Sequence, residues 1–206
     1  MSSVEFWQER YRGEAPVWSG RANAVLVDVA SDLPPGRAVD LGCGEGGDAL
    51  WLASRGWQVT AVDIASNALD RGRASAEAAG VAGRIEWVQR DLSDWSPGPD
   101  FDLVSAFFLQ SPVELAREQI LRHAAAAVAP GGHLLLVSHA AAPPWATQLH
   151  THHDQGFPTP AGELEALALD DRWEVLVAEV RARAATGPDG RRAHLDDTVV
   201  FARRRA

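Results

Sequence analysis

Asp40, Gly42, Gly44 and Gly46 follow one another at every second residue in the segment Arg37-Ala-Val-Asp-Leu-Gly-Cys-Gly-Glu-Gly-Gly-Asp48, and Asp63 closes the next apolar run, Gln58-Val-Thr-Ala-Val-Asp63. Glycines at this spacing let a backbone turn sharply and let a ligand approach it without meeting a Cβ. A carboxylate at the tip of the following strand is placed to accept hydrogen bonds from both hydroxyls of a ribose. Together these features predict a nucleoside-containing cofactor. Gly42, Gly44 and Gly47 also satisfy Gly-x-Gly-x-x-Gly, a nicotinamide-dinucleotide fingerprint that is weak when alone. Asp40 argues for a different ligand. A carboxylate beside a pyrophosphate is repulsive in a partly desolvated cleft, whereas the same carboxylate beside an ammonium or sulfonium is favourable.

Other chemistry-bearing residues lie further along. The segment Ser105-Ala-Phe-Phe-Leu-Gln110, at the tip of the fourth expected strand, is apolar, with Phe107 a candidate for cofactor contact and Phe108 for substrate contact. Histidines gather late in the chain: His139 and His153 are the candidates for a general base, and His152 and His194 for acceptor binding. His150-Thr-His-His-Asp154 invites a metal reading, but no partner motif at helical spacing accompanies it, and no metal is assigned. Cys43 is the only cysteine, which excludes an internal disulfide and a thiolate metal cage. Inside the glycine loop it reads as a small filler beside the cofactor rather than a nucleophile. Every basic residue is arginine, so lysine chemistry is absent.

The elements that must position these groups alternate from residue 38 onward, which predicts a mostly parallel sheet covered on both faces. Strands are expected at Ala38–Leu41, Gln58–Asp63, Ile85–Arg90, Phe101–Ala106 and His133–Ser138. Helices are expected at Asp48–Ser54, Ser66–Ala79 and Pro112–Ala129, the last with Ser111 as N-cap, proline at its first position and Glu114 at its third. After a helix near Ala161–Leu169, the strands Arg172–Arg183 and Asp196–Arg203 flank Thr186-Gly-Pro-Asp-Gly190, a turn sequence that predicts an antiparallel hairpin. Residues 1 to 35 form a helical preface carrying Tyr11, Trp18 and Arg21. We read it as a lid over the cleft, with Arg21 receiving the cofactor's carboxylate through a charge-assisted hydrogen bond.

Length and composition fit one globular domain spanning 1–206, with 46% hydrophobic and 23% charged residues. No apolar run reaches membrane-span length, and the N-terminus lacks a basic-then-apolar leader, so a cytoplasmic protein is expected. The net charge of −9 opposes binding to a phosphate backbone. The expected partner is a small molecule rather than a nucleic acid or a membrane, and the chain is expected to be a monomer or homodimer.

The Asp-x-Gly-x-Gly-x-Gly run resembles motif I of the class I S-adenosylmethionine-dependent methyltransferases, and Asp63 looks like their motif II acid. The resemblance implies S-adenosyl-L-methionine as cofactor and a Rossmann-like, seven-stranded α/β fold ending in a reversed hairpin. It implies that Asp91 receives the adenine amine while Leu92 and Ile64 cover the ring. Gly42-Cys-Gly-Glu-Gly-Gly-Asp-Ala-Leu-Trp-Leu-Ala53, Gly156-Phe-Pro158, Gly162-Glu-Leu164 and the ending Phe201-Ala-Arg-Arg204 look like the tellurite-resistance (TehB-like) branch, whose members methylate small acceptors. Ala184-Ala185 stands where that branch carries a His-Arg pair. The function expected is methyl transfer to a small molecule at an O, S, N or metalloid atom, driven mainly by proximity and desolvation. A non-catalytic S-adenosylmethionine-binding regulator and a nicotinamide-dependent oxidoreductase are the alternatives.

Overall fold

The computed structural model describes residues 2–13, 15–95, 97–98, 100–145, 156–187 and 190–206. Two short helices, α1 (Ser3–Arg10) and α2 (Ala24–Ala30), precede the first strand. Then follow β1 (Arg37–Leu41), α3 (Gly47–Ser54), β2 (Gln58–Asp63), α4 (Ser66–Ala78), β3 (Ile85–Gln89), β4 (Phe101–Phe107), α5 (Arg117–Ala127), β5 (Val128–His139), α6 (Pro160–Leu167), β6 (Trp173–Thr186) and β7 (Arg192–Arg204). One seven-stranded sheet runs in the order β3-β2-β1-β4-β5-β7-β6. The first five strands are parallel, and β7 runs antiparallel to both β5 and β6. The chain winds outward from β1 to β3 and then restarts at β4 on the other side of β1. Ligands bind at such a switch point, outside the carboxyl ends of the strands.

Strand alternation sorts the core into two layers. Ala38, Leu103, Leu135, Val137, Val199 and Phe201 pack with α2 and α3. Val39, Leu41, Val104, Ala106, Leu134, Leu136 and Val200 pack with α5 and α6. Asp40, Ser105, Phe107, His139 and Asp197 occupy alternate positions on the first of these faces, so polar groups of four adjacent strands, β1, β4, β5 and β7, share one side of the sheet.

Several expected boundaries are corrected. The helix expected from Pro112 begins at Arg117. Ser111 Oγ accepts only from Val113 N in a local turn, while the carbonyl of Glu114 receives the hydroxyl of Ser3, so this segment braces α1 instead of coiling. Strand β5 starts at Val128 rather than His133, with an irregularity between the Phe101–Val128 and Leu103–His133 pairs. The expected hairpin forms but extends beyond its expected ends: β6 runs on to Thr186, β7 begins at Arg192 rather than Asp196, and the pairing has an irregularity between Val175 and Val177.

Candidate active site

The turn after β1 has its three alternate glycines in the left-handed region, at φ +71° for Gly42, +53° for Gly44 and +78° for Gly46. Gly42 N and Cys43 N donate to the carbonyl of Val62 at 2.8 and 3.0 Å. Asp63 completes the lock: Oδ2 accepts from Gly44 N and Oδ1 from Ala65 N, both at 2.8 Å. Burial pushes this carboxyl above its ordinary range, and the backbone donors oppose the shift. An ionised carboxylate has about four acceptor sites, so two remain after the turn is held.

Asp40 is 2% exposed. Its Oδ1 receives Ser105 Oγ at 3.2 Å, and Oδ2 makes no hydrogen bond among the described residues. Burial, followed by the charges of Asp48 and Asp63, drives its carboxyl well above the usual carboxylate range. Asp48 accepts from Asn23 N at 2.6 Å and is pushed up to about 6 by burial. Three acids therefore converge on the glycine turn, one with an orphaned oxygen, and a cationic ligand would supply the missing partner. The Cys43 thiol, also driven up by burial and then by Asp63 and Asp40, packs against the core as a small apolar group.

Beyond the ends of β2 and β3 lies an open depression of about 510 Å³ lined by Val4, Ile64, Gln89, Arg90, Asp91 and Asp94. Ile64 and Asp91 both line it, and Asp91 Oδ1 also accepts from Ser93 N at 2.9 Å. Leu92 does not line it. Its side chain is buried in the α5 layer, because the turn that begins at Asp91 points this residue inward.

The N-terminal segment is strapped across the glycine turn. Tyr11 is buried, and its hydroxyl accepts from Trp18 Nε1 at 2.7 Å; a Cβ on Gly44 would lie 3.0 Å from that hydroxyl. Glu45 receives Val17 N and Trp18 N at 3.0 Å and Arg71 Nη1 at 2.5 Å. Burial opposes its ionisation, but the Trp18 amide and Arg71 outweigh it and hold the carboxyl below its ordinary value. Arg71, on α4, also donates to the carbonyls of Tyr11, Gly13 and Ala15. Trp18 and Arg21 are exposed, and both border the turn: a Cβ on Gly44 would lie 3.4 Å from Trp18 Nε1, and one on Gly47 3.0 Å from the Arg21 carbonyl. Glu45 was visible as an acid inside the loop; nothing in the sequence around Arg71 marked it as the strap's anchor.

Across the cleft, the tips of β4 and β5 form the opposite wall. Phe108 takes a left-handed conformation at φ +53°, and its ring stacks on His139 at 4.2 Å. His139 N donates to Gln110 Oε1 at 2.8 Å. Beneath, Arg117 donates to both oxygens of buried Glu163 at 2.7 and 2.8 Å and to Ser138 Oγ at 2.9 Å, tying α5, α6 and β5 together. Asp197 and Arg183, which sequence reasoning did not single out, reach this wall from β7 and β6. His194 does not join them: strand alternation puts it on the opposite face of β7 from Leu195 and Asp197, and it is exposed opposite Ala184. His152 and His153 lie outside the described residues.

Residues 38–132 match a methyltransferase domain model. The 2-heptyl-1-hydroxyquinolin-4(1H)-one methyltransferase of Mycobacteroides abscessus is 31% identical over 203 residues, covering 90% of this chain and 83% of that protein. The ribosomal RNA small subunit methyltransferase C of Chromohalobacter salexigens is 33% identical over 156 residues, 75% of this chain, and the matched part spans 44% of that longer protein. The crystal structure of TehB from Haemophilus influenzae superposes with a TM-score of 0.69 at 19% identity, covering 98% of this chain and 67% of that one. The chain belongs to the class I S-adenosylmethionine-dependent methyltransferases. Its cofactor is S-adenosylmethionine, and the nicotinamide alternative falls. Among the described residues no helix is long and apolar enough to cross a membrane.

Proposed function

We propose that this enzyme methylates a small molecule in the cytoplasm, as one domain whose residues 1–35 cover a core of 36–206. The observation that carries the cofactor side of this reading is the orphaned Oδ2 of Asp40 beside three left-handed glycines. When bound, S-adenosylmethionine supplies an activated methyl group on a cationic sulfur, so the protein's task is to align and desolvate. Gly42, Gly44 and Gly46 open the backbone to the cofactor, with Asp40 and Cys43 behind it. Asp63 offers its two remaining acceptor sites to the ribose. Ile64 and Asp91 hold the adenine in the depression they line. Tyr11, Trp18 and Arg21 shield the methionine end, and Phe107 and Phe108 keep water from the acceptor.

A small acceptor is supported by the apolar wall at Phe107 and Phe108, by the net charge of −9, and by the near full-length relative that acts on a hydroxyquinolone. The acidic balance of the chain opposes a polyanionic RNA acceptor, whose binding draws on cationic contacts. Salt-sensitive binding of an oligonucleotide at physiological ionic strength would count against the proposal.

Calorimetry tests the cofactor geometry. S-adenosylmethionine and S-adenosylhomocysteine should bind, and NADH should not. Asp63→Ala should weaken cofactor binding at least tenfold, since each hydrogen bond to a charged group contributes about 1.5–3 kcal/mol. It should also destabilise the fold by roughly 1–3 kcal/mol, because Gly44 N and Ala65 N lose their acceptor. An unchanged dissociation constant in the folded variant would remove Asp63 from the ribose site.

A further inference from the structure

Asp197 is 1% exposed at a position where a carboxylate is costly, yet only half of it is used. Arg183 Nε donates to Oδ2, whereas Oδ1 makes no hydrogen bond among the described residues. That oxygen lies 3.4 Å from Nδ1 of His139, its direct cross-strand neighbour in the β5–β7 ladder. The imidazole is otherwise fixed from two directions: its ring lies on Phe108, and its backbone amide is held by Gln110. It remains 32% exposed, at the carboxyl end of β5, on the same sheet edge and the same sheet face as Asp40. Arg183 also lies over the Phe108 ring, 5.3 Å from its centroid. A sealed carboxylate with one free oxygen, a positioned histidine and an open cleft form an oriented acid–base pair.

We infer that Asp197 fixes the Nδ1–H tautomer of His139, so that Nε2 accepts a proton from the methyl acceptor, and that the acceptor carries a weakly acidic O–H or S–H group. This rests on the proposed methyl transfer and adds what that reading left open, the acceptor class. The X–H bond breaks, its proton passes to Nε2, and its electron pair stays on X. X then bonds to the methyl carbon as the carbon–sulfur bond breaks with its electrons on sulfur. The imidazolium, charge-paired with Asp197, returns the proton to water when product leaves. An acceptor that already carries a free lone pair, such as a halide, thioether or metalloid oxyanion, would have no use for this pair.

Several other charged groups surround the pair. Arg181 of β6 is the second cross-strand neighbour of Asp197, and it is itself held by Glu179 and by Asp28 of α2. Arg117 and Glu163 lie on the opposite sheet face, bonded to Ser138. None of these stands between Asp197 and Nδ1.

The test uses the full chain, radiolabelled S-adenosylmethionine and a series of substituted phenols and thiophenols graded in acidity. Wild type should methylate both the weakly acidic and the strongly acidic members. His139→Gln should lose about 10²- to 10⁴-fold on members un-ionised at the assay pH and less than fivefold on members already ionised. The alkaline limb of its rate profile should then follow the acceptor's own ionisation. Asp197→Asn should show the same acidity dependence in weaker form. Its ¹⁵N spectrum should also lose the fixed Nδ1–H tautomer of His139 while cofactor affinity stays unchanged, a signature that a purely structural role would not give. Equal losses by His139→Gln across the series, an unaltered tautomer in Asp197→Asn, or no turnover of any phenol or thiophenol by a cofactor-binding wild type would overturn the inference. Failure to bind S-adenosylmethionine at all would instead overturn the cofactor reading on which it rests.

Discussion

Asp40 and Asp48 are unfavourable residues for an empty protein and favourable ones for a protein holding a cation. Both carboxyls are pushed up by burial, Asp48 to about 6 and Asp40 well above the usual carboxylate range, so the folded chain holds protons there that the unfolded chain releases near its ordinary carboxylate range. Their contribution to stability is therefore full below about pH 4 and is lost as pH rises, for Asp48 through about 6. The thermal midpoint of the ligand-free enzyme should therefore fall between pH 4 and 7 from this source, and Asp48→Asn should flatten that slope. A cationic cofactor reverses the balance, because it favours the ionised forms. Affinity for S-adenosylmethionine should weaken as pH is lowered from 7.5 to 5. Binding near pH 6 should release protons, seen as a dependence of the calorimetric heat on the buffer's ionisation enthalpy. An affinity and heat independent of pH and buffer would mean that these acids do not face the cofactor's charge.

At the level of elements, Trp87 of β3 is wedged between the glycine turn and α4. A Cβ built on Gly46 would lie 2.3 Å from its ring, and one built on Gly72 would lie 2.4 Å away. The two glycines serve different needs, since Gly46 also sits at φ +78°. Gly72→Ala should cost about 1–3 kcal/mol by overpacking. In a Trp87→Leu background it should cost nothing further, whereas Gly46→Ala should still cost about 1–2 kcal/mol for its left-handed backbone. Denaturant midpoints of the single and double variants read the coupling directly, and additive losses for Gly72 and Trp87 would refute the wedge. Such contacts explain what the sequence could reveal. Asp40, the three glycines and Asp63 were legible because turn geometry and charge restrict residue type over a few positions. The parallel strands were legible because apolar runs alternate with helices. Gly72, Arg71, Asp197 and Arg183 were not, since their meaning depends on partners 14 to 60 residues away that only the folded sheet brings together. Helix α5 was misread at its start because a local capping pattern lost to tertiary bonds of Ser3 and Arg117.

For the molecule as a whole, the question is what keeps the N-terminal cover on the core. The sequence suggested a lid that closes on ligand, built from Tyr11, Trp18 and Arg21. In the structure the strap is already docked, with Tyr11 buried beside Ala65 and Ala68 and its backbone held by one side chain. Arg71 joins the carbonyls of Tyr11, Gly13 and Ala15 to Glu45, so a single guanidinium connects α4, the strap and the glycine turn. Local opening of such a segment depends on a few contacts rather than on the global core. Arg71→Ala should therefore release the strap while sparing the sheet. Hydrogen exchange at the Val17 and Trp18 amides, both held by Glu45, should accelerate at least tenfold in the variant, and the amides of β1, β4 and β5 should remain protected. Cofactor affinity should fall as the turn loses its cover, because the binding-competent arrangement is then only a fraction of the population. In the unaltered enzyme, S-adenosylhomocysteine should add little protection to the strap, in contrast to a lid that orders only on binding. Strong ligand-induced protection in wild type, or unchanged exchange in Arg71→Ala, would show that something other than this arginine holds the cover closed.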